Sequence, residues 1–228
     1  MKINSIQISL SYFGLFEISS NDIRTKISEK FKDEYKFISQ NQPIGQQIQP
    51  IIIAEKPHNN VRIIFSNNRI DLFYIFNEND SFNESIKKIL FKEQQKIIDV
   101  FGQDFNRIAL NCFDFIYDES ELFLEKFVNN SPLSNEFGKS SEFELKYNNV
   151  FTFSNVDFNS IISIKSGKAS KNDNLIEEEK KALIFMSDIN SVVNAFKISE
   201  SVTIEGFFNK LIDNYQDKLA KIISFLEK

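Results

Sequence analysis

Ile51-Ile52-Ile53-Ala54-Glu55-Lys56-Pro57-His58-Asn59-Asn60-Val61-Arg62-Ile63-Ile64-Phe65-Ser66-Asn67-Asn68-Arg69-Ile70-Asp71-Leu72-Phe73-Tyr74-Ile75-Phe76 decides the class of fold. It holds three short β-branched and aromatic runs separated by turn residues, which is how consecutive hairpin strands read. Pro57-His58-Asn59-Asn60 makes the first turn. Asn67-Asn68 makes a two-residue second one, because asparagine tolerates positive φ better than most residues. In the last run Ile70, Leu72, Tyr74 and Phe76 alternate along the strand and so share one face.

Outward from this core the pattern switches to helix. Ser81-Phe82-Asn83-Glu84 reads as a capping box opening a helix over 81–101, with Ile86, Leu90, Ile97 and Phe101 on one stripe and Gly102 at its end. On the N-terminal side, residues 3–13 alternate, with Ile6, Ile8, Leu10 and Tyr12 inward. Ser20 is placed to cap a helix carrying Ile23, Ile27 and Phe31. Gln40 to Pro50 has no charge and is broken by Pro43, Gly45 and Pro50, which reads as a loop.

The second half repeats this order. A strand is expected at 106–117, a short helix at 119–128, a loop at 129–141, strands at about 142–153, 156–166 and 180–189, and a long amphipathic helix at about 202–227. Ile6, Ile8, Leu10 and Phe13 have counterparts in Ile108, Leu110, Cys112 and Phe115. The expected fold is therefore α+β: a curved antiparallel sheet with long helices on one face. A duplicated β-α-β-β-β-α unit is expected over 1–102 and 103–228, forming one globular unit like the helix-grip and TATA-binding-protein-like folds. Within it Lys168 to Asn174 has no apolar anchor and reads as a hairpin tip.

Composition removes several functional classes. The 228 residues include 25 Phe but one His, one Cys and six scattered Gly. One His and one Cys do not make a zinc site, and no G-x-S-x-G, Walker or dinucleotide motif occurs. No cofactor is expected. The apolar runs are too short for a membrane span, the start alternates unlike a signal peptide, and a lone cysteine forms no internal bridge, so the expected location is cytoplasmic.

Net charge is −5, with 27 basic and 32 acidic residues. Residues 1–102 hold 13 basic and 12 acidic side chains, and 103–228 hold 14 and 20. Only Arg24, Arg62, Arg69 and Arg107 are arginines, a poor set for nucleic acid. If nucleic acid bound at all, it would be on the first half, through Lys87, Lys88, Lys92 and Lys96 of the helix or through Arg62, Arg69 and Phe73 on the sheet's exposed side. The many phenylalanines read as core.

Two functional readings follow. The first is a non-enzymatic module that docks on another protein. It would use Gln42, Ile44, Gln46 and Ile48 in one loop and Leu133 and Phe137 in the other, where amides surround small apolar anchors. The second is a metal-dependent phosphodiesterase or nucleic-acid-processing enzyme using Asp114, Asp118 and Glu121; Asp118 and Glu121 equally suit the start of a helix.

Leu183-Ile184-Phe185-Met186-Ser187-Asp188-Ile189-Asn190 before a closing helix, with Phe105-Asn106-Arg107-Ile108-Ala109-Leu110-Asn111, resembles a sporadically distributed family of uncharacterised bacterial proteins. The resemblance covers mainly residues 60–117 and 180–225. It implies a role in mobile-element or defence loci and carries over no catalytic residue; the docking reading sets the module in phage–host conflict or toxin neutralisation. The chain departs from that family in lacking a proline-rich entry to its first strand and a histidine near the start of its last helix.

Overall fold

The computed structural model describes residues 3–44, 47–58, 60–77, 80–117, 143–173, 176–192 and 203–227. In chain order the elements are β1 (Asn4–Gly14), α1 (Asn21–Phe31), β2 (Lys36–Ile44), β3 (Gln47–Lys56), β4 (Val61–Ser66), β5 (Arg69–Ile75), α2 (Glu84–Phe101), β6 (Phe105–Tyr117), β7 (Glu144–Phe153), β8 (Val156–Asp173), β9 (Ile176–Ser191) and α3 (Ile204–Leu226). The nine strands form one antiparallel sheet in the order β2-β3-β4-β5-β1-β6-β9-β8-β7. The expected α+β class with a large antiparallel sheet is what the chain adopts.

The turns form where asparagine permits them. Asn67-Asn68 joins β4 to β5 with Asn68 at φ +63°, and Ser154-Asn155 joins β7 to β8 with φ of +50° and +60°. The Asn67 side chain also accepts a 2.8 Å bond from the Ile18 amide, tying the entry to α1 onto this turn. The α2 helix starts later than its sequence suggests. Asn83, not Ser81, is the cap: its Oδ1 accepts from the amides of Ser85 and Ile86 at 3.0 and 3.2 Å. Gly102 closes the helix at φ +75°, a conformation that favours glycine. Thr203 caps α3 by accepting from the Gly206 amide at 3.1 Å.

Gln40–Pro50 is not a loop. Its described residues belong to β2 and β3, which pair from Lys36 opposite Glu55 out to Ile44 opposite Gln47. The prolines fit because of where they sit. Pro43 lies on the edge strand, and Pro50 lies beyond the point where β3 begins pairing with β4, at Ile52 opposite Phe65. The first half therefore has four strands after its first helix, not three. Lys168–Asp173 also continues β8, with pairing to β9 running to Asp173 opposite Ile176, so this segment is strand where a tip was expected. The 119–128 helix and the 129–141 loop lie outside the described residues.

The two stretches 1–102 and 103–228 meet in the β1–β6 ladder, where Leu10 faces Leu110. The three described helices pack on the same side of the sheet. Ile8, Leu10 and Tyr12 of β1, Leu72 of β5 and Leu110 of β6 share one buried cluster with Ile27 and Phe31 of α1, Leu90 and Ile97 of α2, and Phe207, Phe208 and Leu211 of α3. Tyr12 is central, with its ring 5.2 Å from Phe105 and 5.3 Å from Phe208. Among the described residues no helix is long and apolar enough to cross a membrane.

Candidate functional site

Strand parity sends the other half of the side chains to the opposite face of the sheet, where none of the described helices packs. That face is not the polar surface its exposure calls for. Across β5-β1-β6 the rows read Arg69, Phe13, Arg107; then Asp71, Ser11, Ala109; then Phe73, Ser9, Asn111; then Ile75, Gln7, Phe113. Ile53 and Ile64 extend it on one side, and Ile161, Ile184 and Met186 on the other. None of these apolar residues belongs to either buried cluster or to the side chains packed against one. Phe13, Phe73, Phe113 and Phe115 are thus not core, contrary to the reading of the phenylalanines from sequence. Ile75 and Met186 are 37% and 44% exposed.

The floor between these groups is short and polar: Ser9, Ser11, Asp71, Ala109 and Asn190 are all buried, beneath taller neighbours. Ser11 donates to Asp71 at 2.5 Å, and the Arg69 Nε donates to both Asp71 oxygens, at 2.7 and 3.0 Å. The Phe13 ring is shared by two guanidiniums, Arg69 at 5.2 Å and Arg107 at 5.1 Å from its centroid. Arg62 pairs with Glu55 at 2.8 Å and lies opposite Phe73. Three of the chain's four arginines therefore lie on this face, where the sequence placed Arg62, Arg69 and Phe73. The fourth, Arg24, is used in folding, donating to the Ile18 carbonyl.

The other expected sites fare differently. Asp114 has the same parity as Leu110 and Cys112, so it points into the core and is 2% exposed. The Tyr215 hydroxyl donates to it at 2.5 Å. Burial pushes its carboxyl up to about 6, against hydrogen bonds from Tyr215 and Ser5 that pull it down. A cavity of about 10 Å³ beside it, bordered by Ser187, Tyr215 and Leu219, has room for a water and not for a ligand. Asp114 is thus a partner of α3. Asp118 and Glu121 lie outside the described residues, as do Gln46, Leu133 and Phe137. Gln42 and Ile44 lie on edge strand β2, and Ile48 follows on β3, 76% exposed.

The expected basic face of α2 is interrupted. Lys96 turns inward, its side chain 13% exposed, and pairs with Glu93 at 3.0 Å and Glu34 at 2.6 Å. Lys56 of β3 joins the same group, bonding Glu93 at 2.9 Å and also Glu34. Burial raises the Glu93 carboxyl, but the hydrogen bond from Lys56 and the nearby Tyr35 and Lys96 outweigh it and hold it below the usual range. Bonds from the same two lysines lower Glu34 to about 2. Two positive and two negative groups close on each other here, tying the end of α1 and β3 to α2. His58 is exposed in its turn, and among the described residues no three His, Cys, Asp or Glu side chains converge as metal ligands would.

No protein-family model, no curated protein and no solved structure matches this chain.

Proposed function

We propose that this chain is a non-enzymatic protein-binding module and that its docking surface is the sheet face opposite the helices. The carrying observation is the set of partly exposed Phe73, Ile75, Phe113 and Met186 on that face, outside both buried clusters. Folding gains nothing from leaving them there, and contiguous apolar surface rimmed by charge is the usual anatomy of an interface. Rigid strands hold these side chains in fixed rows, so little order is lost on binding.

The sheet order outward from its middle is β1-β5-β4-β3 on one side and β6-β9-β8-β7 on the other, with a long helix following each set. This supports a duplicated unit of the helix-grip or TATA-binding-protein-like kind, with β2 added to the first copy, and it makes the docking face common to both halves. The resemblance noted above supports a mobile-element or defence setting, and the docking reading one of phage–host conflict or toxin neutralisation, with the cytoplasm as the expected location.

The test is a pair of variants, Phe73→Ser and Phe113→Ser. Both should melt within a few degrees of the parent, since neither residue is in the core, and both should lose capture of the partner from the native host. Capture unaffected by either change would remove this face from the function. A shift of the parent to a stable dimer that both variants abolish would make the occupant a second copy of the chain.

A further inference from the structure

We propose that Arg107 is the anchor of the docking face and recognises a carboxylate on the partner protein, an assignment that rests on the docking reading above. The open-face arginines differ in one respect. Arg62 is neutralised by Glu55 and Arg69 by Asp71. Arg107 has no carboxylate partner among the described residues, and its Nε is buried without an acceptor. A guanidinium Nε–H stripped of water and left without an acceptor is a cost that the fold does not recover by itself. It is recovered when an acceptor arrives, and a carboxylate matches the planar fork with two parallel bonds.

The surroundings prepare that encounter. The Phe13 ring lies against the guanidinium at 5.1 Å and holds it in place, with Arg69 at 5.2 Å from the same ring. Ser11 and Ala109, the next open-face positions, are short and buried, so the floor steps down beside the arginine. Phe113 lies six residues further along the same strand, which places apolar surface about 20 Å from Arg107. An extended partner segment with an acidic residue at one end and apolar residues towards the other fits that spacing.

A protein carboxylate suits the face better than a phosphate backbone. Nucleic acid needs several unpaired cations in a row. Among the described residues one guanidinium on this face is unpaired, lysines of the same parity such as Lys146 and Lys165 lie away on β7 and β8, and Glu55, Asp71 and Asp188 stand on the same face.

The test selects binders from a random dodecapeptide library displayed on phage, using the whole purified chain as target. Selected peptides are then titrated, each with its acid-to-amide counterpart and beside an oligo-dT strand, against the parent, Arg107→Gln, Arg107→Lys, Phe73→Ser and Phe113→Ser. The proposal expects enrichment of Asp or Glu near apolar residues. It also expects about a thirtyfold or greater loss of affinity on amidation or in Arg107→Gln, with Arg107→Lys recovering little because the charge remains but the fork is gone. All variants should melt with the parent. Peptides that need Phe73 and Phe113 but ignore Arg107 would overturn this assignment and leave the docking reading standing. Peptides indifferent to Phe73 and Phe113 would overturn both. Oligo-dT binding tighter than any peptide and lost in Arg107→Gln would assign the site to phosphate instead.

Discussion

Asp114 shows what a single residue on the wrong parity does. On β6 it occupies an inward position between Cys112 and Ile116, both buried. The strand period alone sets that direction, and the side chain makes do with a tyrosine hydroxyl. With a folded value of about 6 against an ordinary 3.8, the folded state keeps its proton while the unfolded chain loses it. The sign follows. This group costs nothing below the unfolded value, and between about pH 4 and pH 6 it withdraws stability on the order of 3 kcal/mol, which stays lost above. Asp114→Asn, which keeps the shape and cannot ionise, should therefore melt higher than the parent at pH 7 and equal to it near pH 4. Equal melting temperatures at pH 7 would mean that the carboxyl is not perturbed. Glu34 and Glu93 act in the opposite sense: their carboxyls are lowered, so their contribution holds at neutral pH and is lost as pH falls through the acid range.

At the scale of elements, the sequence was most legible where turn chemistry and periodicity agreed. The Asn67-Asn68 hairpin and the inward stripes of β5, of α2 and of β1 from Ile8 onward lie where alternation and helical spacing place them, while Ile6 falls outside the buried cluster at a register shift between Ser5 and Gln7. It was least legible where proline suggested a loop. Pro43 and Pro50 were compatible with strand because each occupies a position that makes no demand on the missing N–H, and edge position cannot be read before the strand order is known. The cap of α2 illustrates a near miss: Ser81 and Asn83 are both good cap residues, and Asn83 holds the place because its Oδ1 reaches two amides. Asn83→Ala should accordingly destabilise the protein by about 1 kcal/mol, whereas Ser81→Ala should be neutral. Chemical denaturation of both variants checks this, and the reverse order would return the cap to Ser81.

At the scale of the whole molecule, the sheet divides the apolar residues between two purposes. The helix-covered face takes one parity and builds the core; the other parity leaves phenylalanines, isoleucines and three arginines in fixed rows on the side where none of the described helices packs. Part of that surface was visible in the sequence, since Arg62, Arg69 and Phe73 alternate against an inward stripe. Phe13, Arg107 and Phe113 do not read as its companions in the sequence, because only the β5-β1-β6 order brings residues so far apart in the chain side by side. Counting phenylalanine as core by composition hid them further. The central claim is that this face, and not the helix layer, meets the partner. Site-specific photo-crosslinking in the native host tests it most directly, with the crosslinking side chain placed at Phe73 or Phe113 and, as the opposite-face control, at exposed Phe225 on α3. The account predicts one protein product of the same size from Phe73 and Phe113 and none from Phe225; that product from Phe225 alone would contradict it.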